Sequence, residues 1–268
     1  MFTDVLVVSV TVLLICTVAM ALTAVAAKRL NRVSVVDVAW GLAFVASAIA
    51  CALIGPAISD SDAWRSWLLA LLVTVWGCRL AWHIGRRSRG HGEDPRYLKL
   101  IGGEVNDGHF RDAVRKVFVI QGLAVWLVSL PLQAAGVVDV RWSWLVWAGG
   151  VLWAIGLVFE SVGDAQLEAY RAQPRDQRPQ VLDTGLWHYT RHPNYFGDAC
   201  VWWGLWLAGG LASGWLPALV TFIAPFAMTY FLAYATGARL LEQTMMQRPG
   251  YAEYAARTSM FFPLPPRR

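Results

Sequence analysis

The chain has 268 residues, of which 57% are hydrophobic and 15% charged, and its formal net charge is +5. It is far more apolar than an average soluble domain, so a bilayer is its expected environment. Nucleic acid is not an expected partner of such a chain. The positive charge instead suits anionic phosphates, whether of lipid headgroups or of a nucleotide.

Charge-free stretches long enough for a membrane-spanning helix recur along the sequence, since one crossing needs about 20 apolar residues. They cover residues 5–27, 38–55, 117–138, 142–159 and 199–238. Residues 64–84 add an amphipathic span that contains Arg79 and His83. The last stretch would reach about 60 Å as one helix, so it must turn back around residues 209–214, where Pro217 restarts the helix. The sequence therefore predicts an all-α integral membrane protein with seven transmembrane helices.

Basic residues set the predicted orientation, because Lys and Arg in short loops stay on the cytoplasmic side. Twenty of the 23 fall in four segments on one side of the predicted spans, namely 28–32, 86–116, 171–191 and 239–268. The N-terminus is therefore expected outside and the C-terminus in the cytosol. This pattern is typical of a multi-pass protein of the cell (inner) membrane.

The cytosolic loops are expected to carry short interfacial helices. The longest polar segment, residues 86–115, is too rich in glycine to be helical throughout, but Asp94 followed by Pro95 is a helix start. Helical spacing over residues 240–258 is broken at Pro249. No repeat or long linker divides the chain, so one membrane-embedded domain is expected over residues 1–268. The four cysteines lie in apolar segments at no metal-like spacing, so neither a metal site nor a disulfide framework is expected.

Ionisable side chains within the predicted spans are candidates for function, because each is costly at membrane depth and should face the bundle interior. Asp37 lies near the start of the second span, and Arg79 and His83 lie one turn apart on the third. These three are the candidate catalytic residues. A structural alternative is that Arg79 pairs with Asp37 to hold two helices together.

A polar face on the fifth predicted span extends from membrane depth into the cytosol. Glu160, Asp164, Glu168 and Arg171 recur there at intervals of three or four residues. Acidic side chains at this depth can accept hydrogen bonds from ribose hydroxyls or from a carboxamide. The alternative is salt bridging to the arginines that follow, among them Arg178.

A dense polar and aromatic segment, residues 185–198, leads directly into the sixth predicted span. Arg191 can hold a phosphate through two hydrogen bonds, and Asn194 can present both a donor and an acceptor to an amide-bearing ring. Asp198 lies one turn beyond Asn194, on the same face. The aromatic residues of this segment favour an interfacial belt. The candidate cofactor-binding residues are Glu160, Asp164, Arg171, Arg178, Arg191, His192, Asn194, Tyr195 and Asp198.

Several motifs along the chain together carry a family resemblance. They are Val36-Asp37-Val38-Ala39-Trp40-Gly41, Trp76-Gly77-Cys78-Arg79-Leu80 with His83, Gly92-Glu93-Asp94-Pro95-Arg96-Tyr97, Phe118 with Gln121, residues 164–171, residues 185–198, Arg248-Pro249-Gly250-Tyr251-Ala252-Glu253-Tyr254 and Phe261-Phe262-Pro263. With these motifs the chain resembles the steroid 5-alpha-reductase superfamily, specifically its bacterial branch of unknown function with a steroid-reductase-like C-terminal domain.

The resemblance implies a membrane-bound, NADPH-dependent oxidoreductase that acts on a CH-CH group. Hydride would pass to an activated C=C bond of a lipid or steroid-like substrate that enters from the bilayer. The family's cofactor contacts fall on four positions of this chain, namely Asp164, Arg171, Asn194 and Asp198.

The carbonyl-polarising residues are where the chain departs from the steroid enzymes. Those enzymes use a Glu and a Tyr from the N-terminal half, where this sequence most nearly offers Asp37 and Trp76. An indole cannot replace a phenol as a proton donor, so a 3-oxo-4-ene steroid is not the expected substrate. Negative charge that builds on a carbonyl oxygen needs a buried donor or a neutral acid. A protonated Asp37 is one such donor, and His83 is the alternative.

Two other classes compete with the reductase interpretation. The Arg-His-Pro motif and a late glutamate also resemble the S-adenosylmethionine-dependent isoprenylcysteine carboxyl methyltransferases and phospholipid N-methyltransferases. Asn194 and the loop at residues 93–97 favour the reductase. A non-enzymatic lipid-binding or scaffolding protein would need the polar segment only for helix packing, and it predicts no stabilisation by a nucleotide.

Overall fold

The computed structural model describes residues 2–235 and 237–267. Within these residues the fold is helical, without strands, apart from one isolated bridge between Thr190 and Ser259. The α-helices in chain order are α1 (Phe2–Leu30), α2 (Val35–Ser59), α3 (Ala63–Arg87), α4 (Pro95–Ile101), α5 (Phe110–Ala113), α6 (Val119–Val128), α7 (Leu130–Val137), α8 (Ser143–Ala172), α9 (Pro193–Gly209), α10 (Trp215–Thr221), α11 (Ile223–Tyr230), α12 (Ala238–Met245) and α13 (Tyr251–Arg257). The predicted all-α class is confirmed.

The chain forms two compact units, and each is described by itself. Unit 1 comprises residues 2–146 and 208–221, and unit 2 comprises residues 147–207 and those from 222 onward. The single domain predicted over residues 1–268 stays a prediction.

Five stretches of the described chain are long and apolar enough to cross a bilayer. They are α1, α2, α3, α8 and Trp215–Met245, and a sixth is added if the bent pair Phe110–Val128 and Leu130–Val137 counts as one span. The chain is thus a multi-pass membrane protein by length and composition. Helix α9, which holds the remaining predicted span, has 17 residues and so reaches about 25 Å, less than the ~30 Å hydrocarbon core. The count of seven, the orientation and the interfacial location of the short helices stay predictions.

The predicted span 117–138 is bent, by 43° between α6 and α7. Pro131 lies in the first turn of α7, where it has no N–H to continue the helix. The buried Gln133 amide donates to the carbonyl of Trp126 at 3.0 Å and to Ser129 Oγ at 2.9 Å. The first of these bonds satisfies a backbone carbonyl at the bend, which is how a membrane helix tolerates a proline.

Close helix crossings in unit 1 depend on glycine. A Cβ on Gly41 of α2 would stand 2.8 Å from the carbonyl oxygen of Gly77 on α3, and a Cβ on Gly77 would stand 2.7 Å from that of Gly41. Gly55 of α2 and Gly136 of α7 form a second such contact. Small residues let helix backbones approach closely in a membrane, where association depends on packing.

Arg65 of α3 is fully buried and binds three acceptors in unit 1. Its guanidinium donates to Ser213 Oγ at 2.8 Å, to the carbonyl of Ala135 at 3.1 Å and to the carbonyl of Val138. It therefore joins the end of α7 to the turn before α10. The turn predicted at residues 209–214 is confirmed, because α9 ends at Gly209 and α10 begins at Trp215.

In unit 2, α8 and α9 cross at almost the shortest distance that two helices allow. A Cβ on Gly197 would stand 2.5 Å from the carbonyl oxygen of Gly156, and one on Gly163 would stand 3.1 Å from the backbone nitrogen of Asn194. This crossing places the first turns of α9 directly against the polar end of α8.

Candidate functional site

The polar face of α8 runs from the interior of unit 2 to its surface, as the spacing predicts. Glu160 is 3% exposed and Asp164 is 8% exposed, whereas Glu168 and Arg171 are exposed. A buried carboxylate is costly unless it is paired or hydrogen-bonded. The inner half of this face is therefore a built polar site rather than a solvated surface.

Asn194 of α9 completes this site. Its Nδ2 donates to Asp164 Oδ1 at 3.0 Å, and Asp198, one turn further along α9, is also buried. The contact uses one of the two amide hydrogens of Asn194 and leaves its carbonyl oxygen as an acceptor. Three carboxylates and an amide within two adjoining helix turns suit a ligand that offers hydroxyl or amide donors. We refer to Glu160, Asp164, Asn194 and Asp198 as the acid-amide cluster.

Arg191 is bound within unit 2 on both edges of its guanidinium. Nε and Nη2 donate to the two carboxylate oxygens of Glu242 at 2.6 and 2.9 Å, and Nη1 donates to the carbonyl of Ala255 at 2.6 Å. A phosphate at Arg191 would have to displace Glu242. The sequence places Glu242 just past the last predicted span but does not reveal this partnership, because 51 residues separate the pair.

His192 and Tyr195 flank this ion pair. His192 is buried, and its Nε2 lies 3.2 Å from Glu242 Oε1. The Tyr195 ring stacks on that of His192 with centroids 5.5 Å apart and planes 4° apart. Tyr195 therefore lies beside the buried imidazole, and the interfacial belt that composition favours stays a prediction.

The C-terminal segment of unit 2 is fastened to residues 187–191. Tyr254 donates to the carbonyl of Trp187 at 2.5 Å, and Thr190 Oγ1 donates to the carbonyl of Phe261 at 2.9 Å. The predicted break at Pro249 is confirmed, with Gly250 in the left-handed region at φ 74° between α12 and α13. The polar segment of residues 185–198 is therefore held in place by residues far along the chain.

Burial of the two tyrosines of α13 predicts a loss of stability at alkaline pH. Burial, and then the charge of Tyr251, raises the pKa of Tyr254 above the ordinary value of 10.0. Burial, and then the charge of Glu242, likewise raises the pKa of Tyr251. The stabilisation from a raised pKa is complete below pH 10 and is lost above it, because the unfolded chain then releases protons that the fold retains. Each phenol should lower the free energy of unfolding by about 1.4 kcal/mol per pH unit above pH 10.

Thermal unfolding in detergent between pH 8 and pH 11 measures this effect. Tyr254→Phe should give a shallower alkaline loss than the parent chain, whereas Tyr189→Phe, on an exposed ring, should leave the loss unchanged. If Tyr254→Phe lost as much stability at alkaline pH as the parent chain, the buried Tyr254 phenol would not be a cause of that loss.

The second polar site lies in unit 1, where Asp37 of α2 meets Tyr97 of α4. The Tyr97 hydroxyl donates to Asp37 Oδ1 at 2.5 Å. Burial and then the Asp37 carboxylate raise the pKa of Tyr97, so the phenol keeps its proton throughout the physiological range. The sequence analysis gave Trp76 as the nearest counterpart of a phenol, and it did not identify Tyr97 beside Asp37. Trp76 is fully buried with its ring against that of Phe44, 5.7 Å away.

Glu93 fixes the loop that carries Tyr97. Its carboxylate accepts from the backbone N–H of Ser34 at 3.1 Å, from that of Asp94 at 2.8 Å and from that of Val33. Asp94 then caps α4, and its carboxylate is bound by Arg96 at 2.8 Å. Burial alone would raise the pKa of Asp94, but the hydrogen bonds from Arg96 outweigh it and hold this pKa below its usual value. The helix start predicted at Asp94 is confirmed.

Three further predicted site residues are Arg79, His83 and Arg178. Arg79 and His83 are half-buried one turn apart on α3, and each has an interaction partner. Arg178 lies over the ring of Tyr170, 5.2 Å from its centroid. Among residues 2–235 and 237–267, no group of three His, Cys, Asp or Glu side chains is placed to hold a metal ion.

Comparison with known proteins agrees with the resemblance in the sequence. Residues 23–258 match the family described as "Protein of unknown function (DUF1295)". A segment of 78 residues is 33% identical to "3-oxo-5-alpha-steroid 4-dehydrogenase 1" of Bos taurus. That segment covers 29% of this chain and 30% of the bovine protein. No solved structure matches the chain significantly.

Proposed function

We propose that this chain, which belongs to the DUF1295 family, is a membrane-bound, NADPH-dependent reductase of an activated C=C bond in a lipid or steroid-like substrate. The partial likeness to a steroid reductase supports an oxidoreductase of this kind. The observation that carries the proposal is the hydrogen bond between Tyr97 and Asp37. It supplies the protonated phenol that the reduction of a conjugated ketone requires.

The acid-amide cluster of unit 2 fits the nicotinamide riboside part of the cofactor. Asp164 and Glu160 can accept from ribose hydroxyls, and the amide of Asn194 can both donate to and accept from a carboxamide. Arg171 and Arg178 lie at the solvent end of the same unit, where phosphates are accommodated at lower desolvation cost. When bound, NADPH supplies the hydride.

Arg191 is proposed to position this site. Its guanidinium already has Glu242 and a backbone carbonyl as partners, so its contribution is to hold residues 191–194 at the start of α9. His192 and Tyr195 then present a stacked pair of rings beside the same carboxylate. In this assignment the acid-amide cluster contacts the cofactor. The site around it is positioned by Arg191, His192 and Tyr195.

Tyr97 is proposed to stabilise the enolate in unit 1. Addition of hydride to the β-carbon of an enone moves electron density onto the carbonyl oxygen, and a donor at that oxygen lowers the barrier. The phenol has one proton, so its hydrogen bond would move from Asp37 to this oxygen when the substrate binds. A protonated Asp37 would then donate to the phenol oxygen and orient it. Since Tyr97 provides a phenol, the argument from Trp76 against a 3-oxo-4-ene steroid no longer applies, and a cyclic enone is a suitable substrate class.

Ligand-dependent thermal unfolding in detergent tests the cofactor assignment. A ligand that binds only the fold stabilises it by about 2.7 kcal/mol at one hundred times its Kd. NADPH should raise the Tm, and S-adenosylmethionine should not. Asp164→Asn should lower the affinity for NADPH, obtained from the Tm shift, by tenfold or more. Glu168→Gln makes the same charge change on the exposed part of α8 and should preserve this affinity.

The remaining outcomes separate the competing classes. A Tm shift with S-adenosylmethionine alone would replace the reductase by a methyltransferase. If neither NADPH nor S-adenosylmethionine shifts the Tm, the non-enzymatic interpretation would replace the reductase.

A further inference from the structure

A groove of about 430 Å³ lies on the outside of unit 1 between α1 and α2. Leu22, Ala26 and Leu30 of α1 form one wall, and Val38 and Leu42 of α2 form the other. Leu22 and Leu30 are 67% and 64% exposed, so this wall faces the surroundings rather than the interior. The groove does not include Asp37 or Tyr97.

The polar lining of the groove is concentrated at one end. Arg32, Ser34 and Ser88 lie there, next to Leu30. Arg32 Nε donates to Ser34 Oγ at 2.9 Å, and Nη2 donates to the carbonyl of Ser88 at 3.1 Å. Its Nη1 makes no hydrogen bond to the residues that the structure describes, so the guanidinium is fixed in orientation and retains donors for an anion.

The apolar part of the groove has the depth of one leaflet. Leu22 and Leu30 are eight residues apart on α1, which corresponds to about 12 Å along the helix, nearly half of the ~30 Å hydrocarbon core. Arg32 follows the end of this helix. A ligand that fills it must be apolar over this length and anionic at one end. Arg32 belongs to the set of basic residues that predicts the cytosolic side.

We propose that this groove binds one anionic phospholipid of the inner leaflet, with an acyl chain between α1 and α2 and the phosphate at Arg32. Charge complementarity identifies the occupant, because the cationic Arg32 guanidinium lies at the polar end of an otherwise apolar groove. A bidentate contact from a preoriented guanidinium is a strong way to bind a phosphate. The site is independent of the proposed reductase chemistry.

The experiment uses the whole chain in nanodiscs and in detergent with two lipids of equal acyl chains, phosphatidylglycerol and phosphatidylcholine. Native mass spectrometry after detergent extraction counts the retained lipid, and Tm reports its effect on the fold. We expect one retained phosphatidylglycerol and an apparent affinity about tenfold or more above that for phosphatidylcholine. Inorganic phosphate, which lacks the chain, should have no effect.

Two variants with matched controls locate the site. Arg32→Gln removes the phosphate contact, and Ala26→Phe fills the groove while keeping Arg32. Their controls are Arg29→Gln, which removes an exposed charge from the same helix end, and Ala21→Phe, which places the same ring on an exposed position outside the groove. Both site variants should lose the selectivity for phosphatidylglycerol at least tenfold, and both controls should stay within twofold.

Three results would overturn the proposal. One is equal retention of the two lipids by the parent chain. Another is an equal loss in Arg29→Gln, which would mean diffuse attraction to surface charge. The third is full retention in Ala26→Phe, since a chain that does not occupy the groove would not be displaced from it.

Discussion

Replacement of Tyr97 by phenylalanine should lower kcat for the reduction of a conjugated ketone by about 10²- to 10³-fold. The substitution removes one hydroxyl, the donor that we assign to the carbonyl oxygen, and loss of one such donor costs catalysis by this factor. The ring and its packing are retained. NADPH oxidation with a cyclic enone, followed by the absorbance of the reduced nicotinamide, measures the rate.

Asp37→Asn tests the other half of the pair. The amide can still donate to the phenol oxygen, but it is a weaker donor than a protonated carboxyl group, so a smaller loss is expected than for Tyr97→Phe. Tyr230→Phe, on an exposed ring of α11, is the control and should turn over at the parent rate. Full turnover by both Tyr97→Phe and Asp37→Asn would remove this pair from the mechanism.

Replacement of Gly197 by alanine should destabilise unit 2 by about 1–3 kcal/mol or more, although alanine is the better helix former. The new Cβ would stand 2.5 Å from the carbonyl oxygen of Gly156 and 3.0 Å from Cα of Glu160. Both atoms are backbone of α8, which cannot rotate away as a side chain can. The helices would have to separate at the level of the acid-amide cluster, so NADPH binding should weaken as well.

Gly150→Ala is the matched control on α8. A Cβ at Gly150 meets nothing within 4 Å, so only helix propensity acts and stability should stay equal or rise by up to about 1 kcal/mol. Thermal unfolding in detergent compares the two variants directly. Equal Tm changes in Gly197→Ala and Gly150→Ala would show that the crossing tolerates a methyl group.

Local features of the fold were predictable because their causes are local in the chain. Apolar length predicts α1, α2, α3 and α8, and the Asp94-Pro95 pair predicts the start of α4. The length of the apolar stretch predicts a turn before α10, and Pro217 predicts where the next helix restarts. By contrast, the bend at Ser129 depends on Pro131 together with Gln133. The hydrogen bonds of Gln133 lower the free-energy cost of the bend at membrane depth.

The candidate sites were predictable only in part, because their key contacts are distant in sequence. Spacing along α8 and α9 places Asp164 and Asn194 on inward faces, but it does not show that they touch. Tyr97 and Asp37 are 60 residues apart, and no periodicity links a loop tyrosine to a carboxylate on another helix. An arginine at position 191 is well suited to bind a phosphate, and only the fold shows that its guanidinium is already bound to the Glu242 carboxylate.

The fastening of residues 187–191 by the C-terminal segment also has a consequence for biosynthesis. Arg191 leaves the ribosome 51 residues before Glu242, a delay of roughly 3 to 10 s at 5–20 residues per second. During that interval the guanidinium has neither its carboxylate nor the carbonyl of Ala255, and it must stay hydrated or find a lipid phosphate. The start of α9 therefore matures late, after the helices of unit 1 that precede it have been synthesised.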